Sequence, residues 1–243
     1  MGKITKKNVY QYVERNIERF HTQRIENLSK LKLKNVLKKK NPYLFRAKHM
    51  MTSSQIVHSV TDEFLSSSEE GIFGGWLEEL AIYINRKVFN GWKSGITGID
   101  LEFDKDSTRY IIAIKSGPNW GNSSQVKKMR SDFLSAKKTL RTSNSRLNVV
   151  AINGCCYGRL KNVDKGDYYK YCGQMFWEFI SGDENLYIDI IEPLGHRAKE
   201  KNEEFIDIYS RMINKFVRDF TDEFCNNDGS INWESLVVFN STR

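Results

Sequence analysis

Three side chains in this 243-residue chain stand out by type and spacing: Asp100 and Glu102 in Ile99-Asp100-Leu101-Glu102-Phe103, and Lys115 closing Tyr110-Ile111-Ile112-Ala113-Ile114-Lys115. The first run alternates apolar and acidic residues with period two, which predicts a strand with Asp100 and Glu102 on one face. Asp104-Lys105-Asp106-Ser107 reads as a turn, and the second run is rich in β-branched residues. Together they predict an antiparallel hairpin. Carboxylates on one strand and an ammonium on its partner, at the open end of a sheet, suit metal-assisted hydrolysis of a phosphodiester. Mg²⁺ prefers hard oxygen ligands. It polarises a phosphoryl oxygen and lowers the pKa of a bound water, while the lysine orients that water or stabilises the charge of the transition state.

Longer segments around these residues resemble a known family. Asp100, a hairpin, and then Lys115 on an apolar strand resemble the PD-(D/E)XK nuclease core. Asn41-Pro42-Tyr43-Leu44-Phe45-Arg46, Gly98-Ile99-Asp100-Leu101-Glu102-Phe103 and the stretch from Ile114 to Gln125 resemble the PmeII-like type II restriction endonucleases. Ile191-Glu192-Pro193-Leu194-Gly195-His196-Arg197-Ala198-Lys199 fits the same likeness. The resemblance implies a homodimer that uses Mg²⁺ to cut both strands of duplex DNA at a short palindromic or interrupted-palindromic site. It implies no small-molecule cofactor beyond the metal.

The pattern has one departure. The position two before Lys115 is acidic in the family and is Ala113 here. Glu102 is one replacement, and a glutamate from the preceding helix is another. At 100° per residue, Glu78 lies about 120° from the centre of the apolar face of helix 73–89, and Glu79 about 140° on the other side. Glu78 borders Ala81 and is the better placed. The third possibility is that Ala113 inactivates the centre. The expected metal and catalytic group is therefore Asp100, Lys115 and either Glu78 or Glu102. Two alternatives to a restriction enzyme stay open: a weakly specific repair or mobile-element nuclease of the same fold, and a duplex-binding protein that no longer cuts.

DNA contacts are expected after the lysine. Asn119, Trp120, Asn122, Ser123, Ser124 and Gln125 form a small, polar, sharply turned stretch ahead of a basic helix, with Ser123 or Ser124 as its N-cap. Backbone N–H groups at a helix start bind phosphate, and Asn and Gln read adenine edges. Lys127 and Lys128 follow on the first turn, and Arg46 and Lys48 lie beside Pro42. Read singly, these residues are better explained as a helix cap and solvated charges.

The charge distribution fits a polyanion partner. The net charge is +8, from 38 Lys/Arg and 30 Asp/Glu. Residues 1–50 hold fourteen Lys/Arg against Glu14, Glu18 and Glu26, and residues 105–146 hold ten against Asp106 and Asp132. Neither block has the one-sided apolar face of a membrane-surface helix, which favours nucleic acid over a membrane. No apolar run is long enough to span a bilayer, and the Lys-rich start lacks the apolar segment of a secretory signal. Four cysteines without CxxC spacing argue against a zinc site or a disulfide scaffold. A cytoplasmic protein is expected. His21, His49, His58 and His196 show no ligand-pair spacing.

The elements that must position this chemistry follow from periodicity. Helices are expected over 5–40, 54–66, 73–89, 123–141, 173–181 and 200–225, with a break at Ser66–Gly71 and a short final helix after Asp228-Gly229. Asn148–Cys156 reads as a further apolar strand, central in the sheet. The fold class is therefore α/β (α+β): a central mixed sheet flanked by helices, of restriction-endonuclease type, with an N-terminal helical region. Residues 1–70 are expected to form a basic helical region for DNA grip or dimerisation. Residues 71–243 are expected to form the nuclease core with the C-terminal helices, in one continuous globular unit.

Overall fold

A computed structural model describes residues 2–242. The chain forms two compact units, one of Met1–Glu18 with Phe73–His196 and the other of Arg19–Ile72 with Arg197–Arg243. The C-terminal helices pack with residues 19–72. Leu33, Val36, Leu37, Phe45, Ile56 and Val60 share a core with Ile213, Phe216, Phe220 and Phe224. Periodicity reveals which face of a helix is apolar, but not which distant segment covers it.

In chain order the elements begin with α1 (Lys6–Ser29), α2 (Leu33–Leu37), α3 (Pro42–Ala47) and α4 (Ser53–Phe89). The strands β1 (Trp92–Lys93), β2 (Leu101–Lys105) and β3 (Thr108–Lys115) follow. Next come α5 (Ser123–Ser143), β4 (Asn148–Cys155), β5 (Tyr169–Cys172) and α6 (Gln174–Ser181). The chain closes with α7 (Leu186–Asp189), α8 (Ile191–Leu194), α9 (Ala198–Phe224) and α10 (Trp233–Ser241). Among the described residues no helix is long and apolar enough to cross a membrane.

The five strands make one mixed sheet in the order β1-β2-β3-β4-β5. The β2–β3 hairpin is antiparallel, and β4 pairs parallel to both β3 and β5. Asp106 and Ser107 both take positive φ at the hairpin turn, the backbone that suits the right-handed twist of the flanking strands. Helix α5 covers one sheet face, where Met129, Phe133 and Ala136 pack on Ile99, Ile111, Ala113, Val149 and Ala151. On β2 and β3, Phe103 and Tyr110 alternate to the opposite side of the pleat, and Phe179 of α6 meets Phe103 at a tilt and Tyr110 edge-on. The hairpin agrees with the sequence reading; β4 lies inside the sheet as expected, but the central strand of the five is β3.

Two boundaries differ from it. Asn35 and Val36 donate backbone hydrogen bonds to the Lys32 carbonyl, so the helix expected over 5–40 restarts after a break near residue 30. Conversely, Ser66–Gly71 is no break but the middle of α4. Serine and glutamate are tolerable helix residues, and one glycine costs only about 1 kcal/mol relative to alanine. Tertiary contacts cover that cost: Asn27 donates to Ser68 Oγ at 2.8 Å, and Arg24 pairs with Glu69 at 2.7 Å. Cys155 and Cys156 are buried free thiols, as adjacent apolar strand residues should be. Burial pushes both thiols well above the usual range.

A continuous α4 has a measurable consequence. Gly71 is exposed, and a Cβ built on it meets nothing within 4 Å. Gly71→Ala should stabilise the protein by about 0.5–1 kcal/mol, read as a rise of about 1–4 °C in Tm by thermal unfolding. A loop at this position would give no such gain.

Candidate active site

Asp100 enters the site from the residue just before β2. Its N–H donates to the Ile112 carbonyl at 2.8 Å. Its Oδ2 accepts from the Ile114 N–H at 2.6 Å, so the carboxylate takes the next rung of the hairpin ladder. Gly98, two residues earlier, has φ of +80°, and a Cβ there would fall 2.5 Å from the Asp132 carboxylate on α5. Only glycine accepts both that conformation and that approach. The entry of β2 is thus pinned against α5, and Asp100 is pinned with it.

Lys115 closes β3, and its Nζ lies 3.9 Å from Asp100 Oδ2. The third member comes from α4. At Gly74 a Cβ would meet the Ser116 side chain at 3.4 Å, so the helix runs close to the end of β3. One helical turn later Glu78 joins the group. It lies close enough to feel both Asp100 and Lys115 electrostatically. A fourth member is Lys93 of β1, whose Nζ is 3.7 Å from Glu78 Oε1.

The electrostatics of the cluster are those of two crowded carboxylates. Burial, and then the neighbouring Asp100 charge, push the Glu78 carboxyl above its ordinary pKa, against the pull of Lys93 and Lys115. Burial likewise raises Asp100, opposed by the Ile114 N–H, Lys115 and Lys93. Neither lysine supplies enough positive charge to cancel the cost of burial. A divalent cation would, and two carboxylate oxygens are a donor set that Mg²⁺ accepts alongside water and phosphate. Among the described residues no group of three or more His, Cys, Asp or Glu side chains is arranged to hold a metal. Any site here is therefore a two-carboxylate one that substrate and water must complete.

Of the sequence-predicted group, Asp100, Lys115 and Glu78 come together and Glu102 does not. The period-two face is as expected, but a shared face is not a shared site. Glu102 pairs with Ile111, four residues back from Lys115 and so about 13 Å away along the strand. Its Oε1 accepts from Ser94 Oγ at 2.7 Å, and its Oε2 lies 3.3 Å from the Arg109 guanidinium. It is a buried, paired carboxylate. Ala113 is also buried, in the apolar cluster under Met129 and Phe133, where an acid would be desolvated without a partner. Lys93 went unseen in the sequence, since a lysine in a glycine-bounded loop carries no signal until β1 pairs with β2.

The expected DNA-contacting residues divide. Asn122 is the α5 N-cap, in place of Ser123 or Ser124. Its Oδ1 accepts from the Gln125 N–H at 3.0 Å, and Gln125 Oε1 accepts from the Asn122 N–H at 2.9 Å. That capping box occupies both side chains. Trp120 is half-buried and donates through Nε1 to Asn153 Oδ1 at 3.1 Å. Asn119, Ser123, Ser124 and Lys127 are exposed. Lys128 is exposed and pairs with Asp132 at 3.1 Å. Arg46 and Lys48 lie on and just after α3 in the other unit, both exposed, with the Arg46 guanidinium over the Trp233 ring.

With this geometry in hand, a family model described as "Type II restriction endonuclease EcoO109I" matches residues 7–202. No curated protein matches the chain. The match covers both the hairpin and the stretch of α4 that delivers Glu78. Of the readings left open by the sequence, it selects a site-specific endonuclease over a weakly specific nuclease or a non-cleaving binder.

If Glu78 supplies the acid that Ala113 lacks, Glu78→Gln should lower DNA cleavage by two or more orders of magnitude, while Glu102→Gln should act mainly on stability, through the loss of a buried charge pair. Cleavage rates beside thermal unfolding of the two variants check this. A fully active Glu78→Gln would remove Glu78 from the site.

Proposed function

The chain belongs to the EcoO109I family of type II restriction endonucleases and is a site-specific deoxyribonuclease; we propose that Glu78, Asp100 and Lys115 form its catalytic group, on a PD-(D/E)XK-type core whose second acid has moved from strand to helix. The observation that carries this reading is the approach of Lys115 Nζ to Asp100 Oδ2, with Glu78 in electrostatic contact with both. Glu78 and Asp100 are the residues that would hold Mg²⁺. The ion supplies charge neutralisation at the phosphate and a more acidic bound water.

The chain's own groups do the remaining work. The Ile114 N–H fixes Asp100 so that one carboxylate oxygen keeps its direction. Lys115, partly exposed at the end of β3, donates to a phosphate oxygen or to the attacking water. In the reaction the attacking water gives up one proton to solvent as its oxygen bonds to phosphorus, the bond from phosphorus to one sugar oxygen breaks, and that oxygen takes up a proton from solvent. Lys93 adds positive charge on the open side of Glu78.

Duplex DNA is the substrate that the family implies. The proposal extends to a homodimer that places one such group against each strand of a short palindromic or interrupted-palindromic site, so that protein and site share a twofold axis. The likeness of segments 41–46, 98–103 and 114–125 to PmeII-like enzymes supports it. Asn119, Ser123, Ser124 and Lys127 are exposed beside the site and suit phosphate contact. Arg46 and Lys48, with the basic residues of 1–50, suit a second grip on the backbone.

Digestion of a fully sequenced plasmid tests the centre. With Mg²⁺ the protein should give discrete fragments. Asp100→Asn and Lys115→Ala should each lose cleavage by about 10²–10⁴-fold while still binding DNA, and chelation should stop the wild type. Unchanged cutting by Lys115→Ala would discard the proposed group. Separately, Lys127→Ala should lower the slope of log affinity against log salt by about one, measured on a fragment carrying a mapped cleavage site.

A further inference from the structure

We infer that Trp120 and Asn153 form a brace that aims the Lys115 ammonium, an inference that rests on the reading of Lys115 just given. A lysine ends in a compact charge on a flexible four-carbon stem, and such a stem does not hold a position by itself. Asp100 restrains the ammonium from one side at 3.9 Å. On another side Lys115 Nζ lies 5.3 Å from the centroid of the Trp120 ring, within the range of a cation–π contact.

That ring is itself fixed. Its Nε1 donates to Asn153 Oδ1 at 3.1 Å, and Asn153 Nδ2 donates to the Ala113 carbonyl at 3.1 Å. The indole can only donate and the carbonyl can only accept, so the two partners set which way the amide faces. Asn153 is 1% exposed, and on β4 it is the register partner of Ala113. The strand position where the family carries an acid is therefore tied through a buried amide to the ring beneath the lysine. The loop that carries Trp120 is held as well, since Lys170 Nζ donates to the Pro118 carbonyl at 2.6 Å.

In this arrangement Trp120 and Asn153 are positioning residues. They act through the lysine by limiting where the ammonium points, and misplacement of a reacting group by about an ångström costs on the order of a hundredfold in rate. This differs from a DNA-contact role for Trp120, in which its loss would weaken binding and leave the rate of the bound complex alone.

The test compares wild type, Trp120→Phe, Trp120→Leu, Asn153→Ala and Lys115→Ala. The probe is a plasmid fragment carrying a mapped cleavage site. Binding is measured with Ca²⁺ and the single-turnover cleavage rate with Mg²⁺. Trp120→Leu and Asn153→Ala should cut about ten- to a hundredfold more slowly, with affinity unchanged. Trp120→Phe, which keeps a ring, should recover most of the rate. In protein carrying isotope-labelled lysine, the ring-shifted Lys115 methylene resonances should move to the ordinary position in Trp120→Leu. If Trp120→Leu fails to fold, Asn153→Ala carries the test, because it frees the ring without removing it. The brace is overturned if Lys115→Ala is inactive while Trp120→Leu and Asn153→Ala cut at the wild-type rate, or if the two variants lose affinity alone. Cutting by Lys115→Ala is a separate failure, that of the underlying site.

Discussion

Two half-buried carboxylates, each costly to ionise where it lies, set the terms for the rest of the sheet unit. Asp100 and Glu78 are both pushed upward by burial, and Glu78 further by Asp100. A protein gains nothing in stability from this crowding, since each charge has left water without full compensation. The arrangement makes sense where a third party brings positive charge. The lysines around it moderate the field without cancelling it. On the proposed reading a divalent cation would supply the missing positive charge, and the cation and lysines together would attract an anion.

Holding the carboxylates there takes devices that are individually modest. Asp100 is fixed by one backbone N–H and by a glycine two residues earlier that admits the approach of α5. Glu78 is fixed by a helix that runs unbroken from Ser53 to Phe89 and passes close to Ser116 at Gly74. A break at Ser66–Gly71 would cut that helix shortly before Glu78 and leave the chain free to turn there.

What could be read from the sequence follows from the range of each physical rule. The hairpin, the apolar strand β4 and the pairing of Asp100 with Lys115 depend on residues near in sequence, where apolar patterning and turn chemistry suffice. Glu102 shows the limit of that rule. Alternation places it on the same face as Asp100, but two further residues along the strand carry it away to Ser94 and Arg109. Lys93, the Asn153–Trp120 contact and the packing of the C-terminal helices with residues 19–72 all depend on pairings distant in sequence. No local pattern encodes those. The Asn122–Gln125 capping box was encoded locally, but the two serines that follow Asn122 are themselves good caps and hid it.

The absence of an acid at position 113 now has a physical account. Ala113 lies under Met129 and Phe133 in a buried apolar cluster, and its carbonyl accepts from the Asn153 amide. A carboxylate in that slot would have to displace the packing. On the proposed reading the requirement is for a second anionic oxygen near Asp100, and α4, which passes Ser116 at the end of β3, would supply it through Glu78. On β4 the register partner of Ala113 is the buried Asn153, whose amide accepts from the Trp120 indole beside Lys115. The inferred brace would then need only the backbone carbonyl of residue 113, so an apolar side chain at that position is compatible with it.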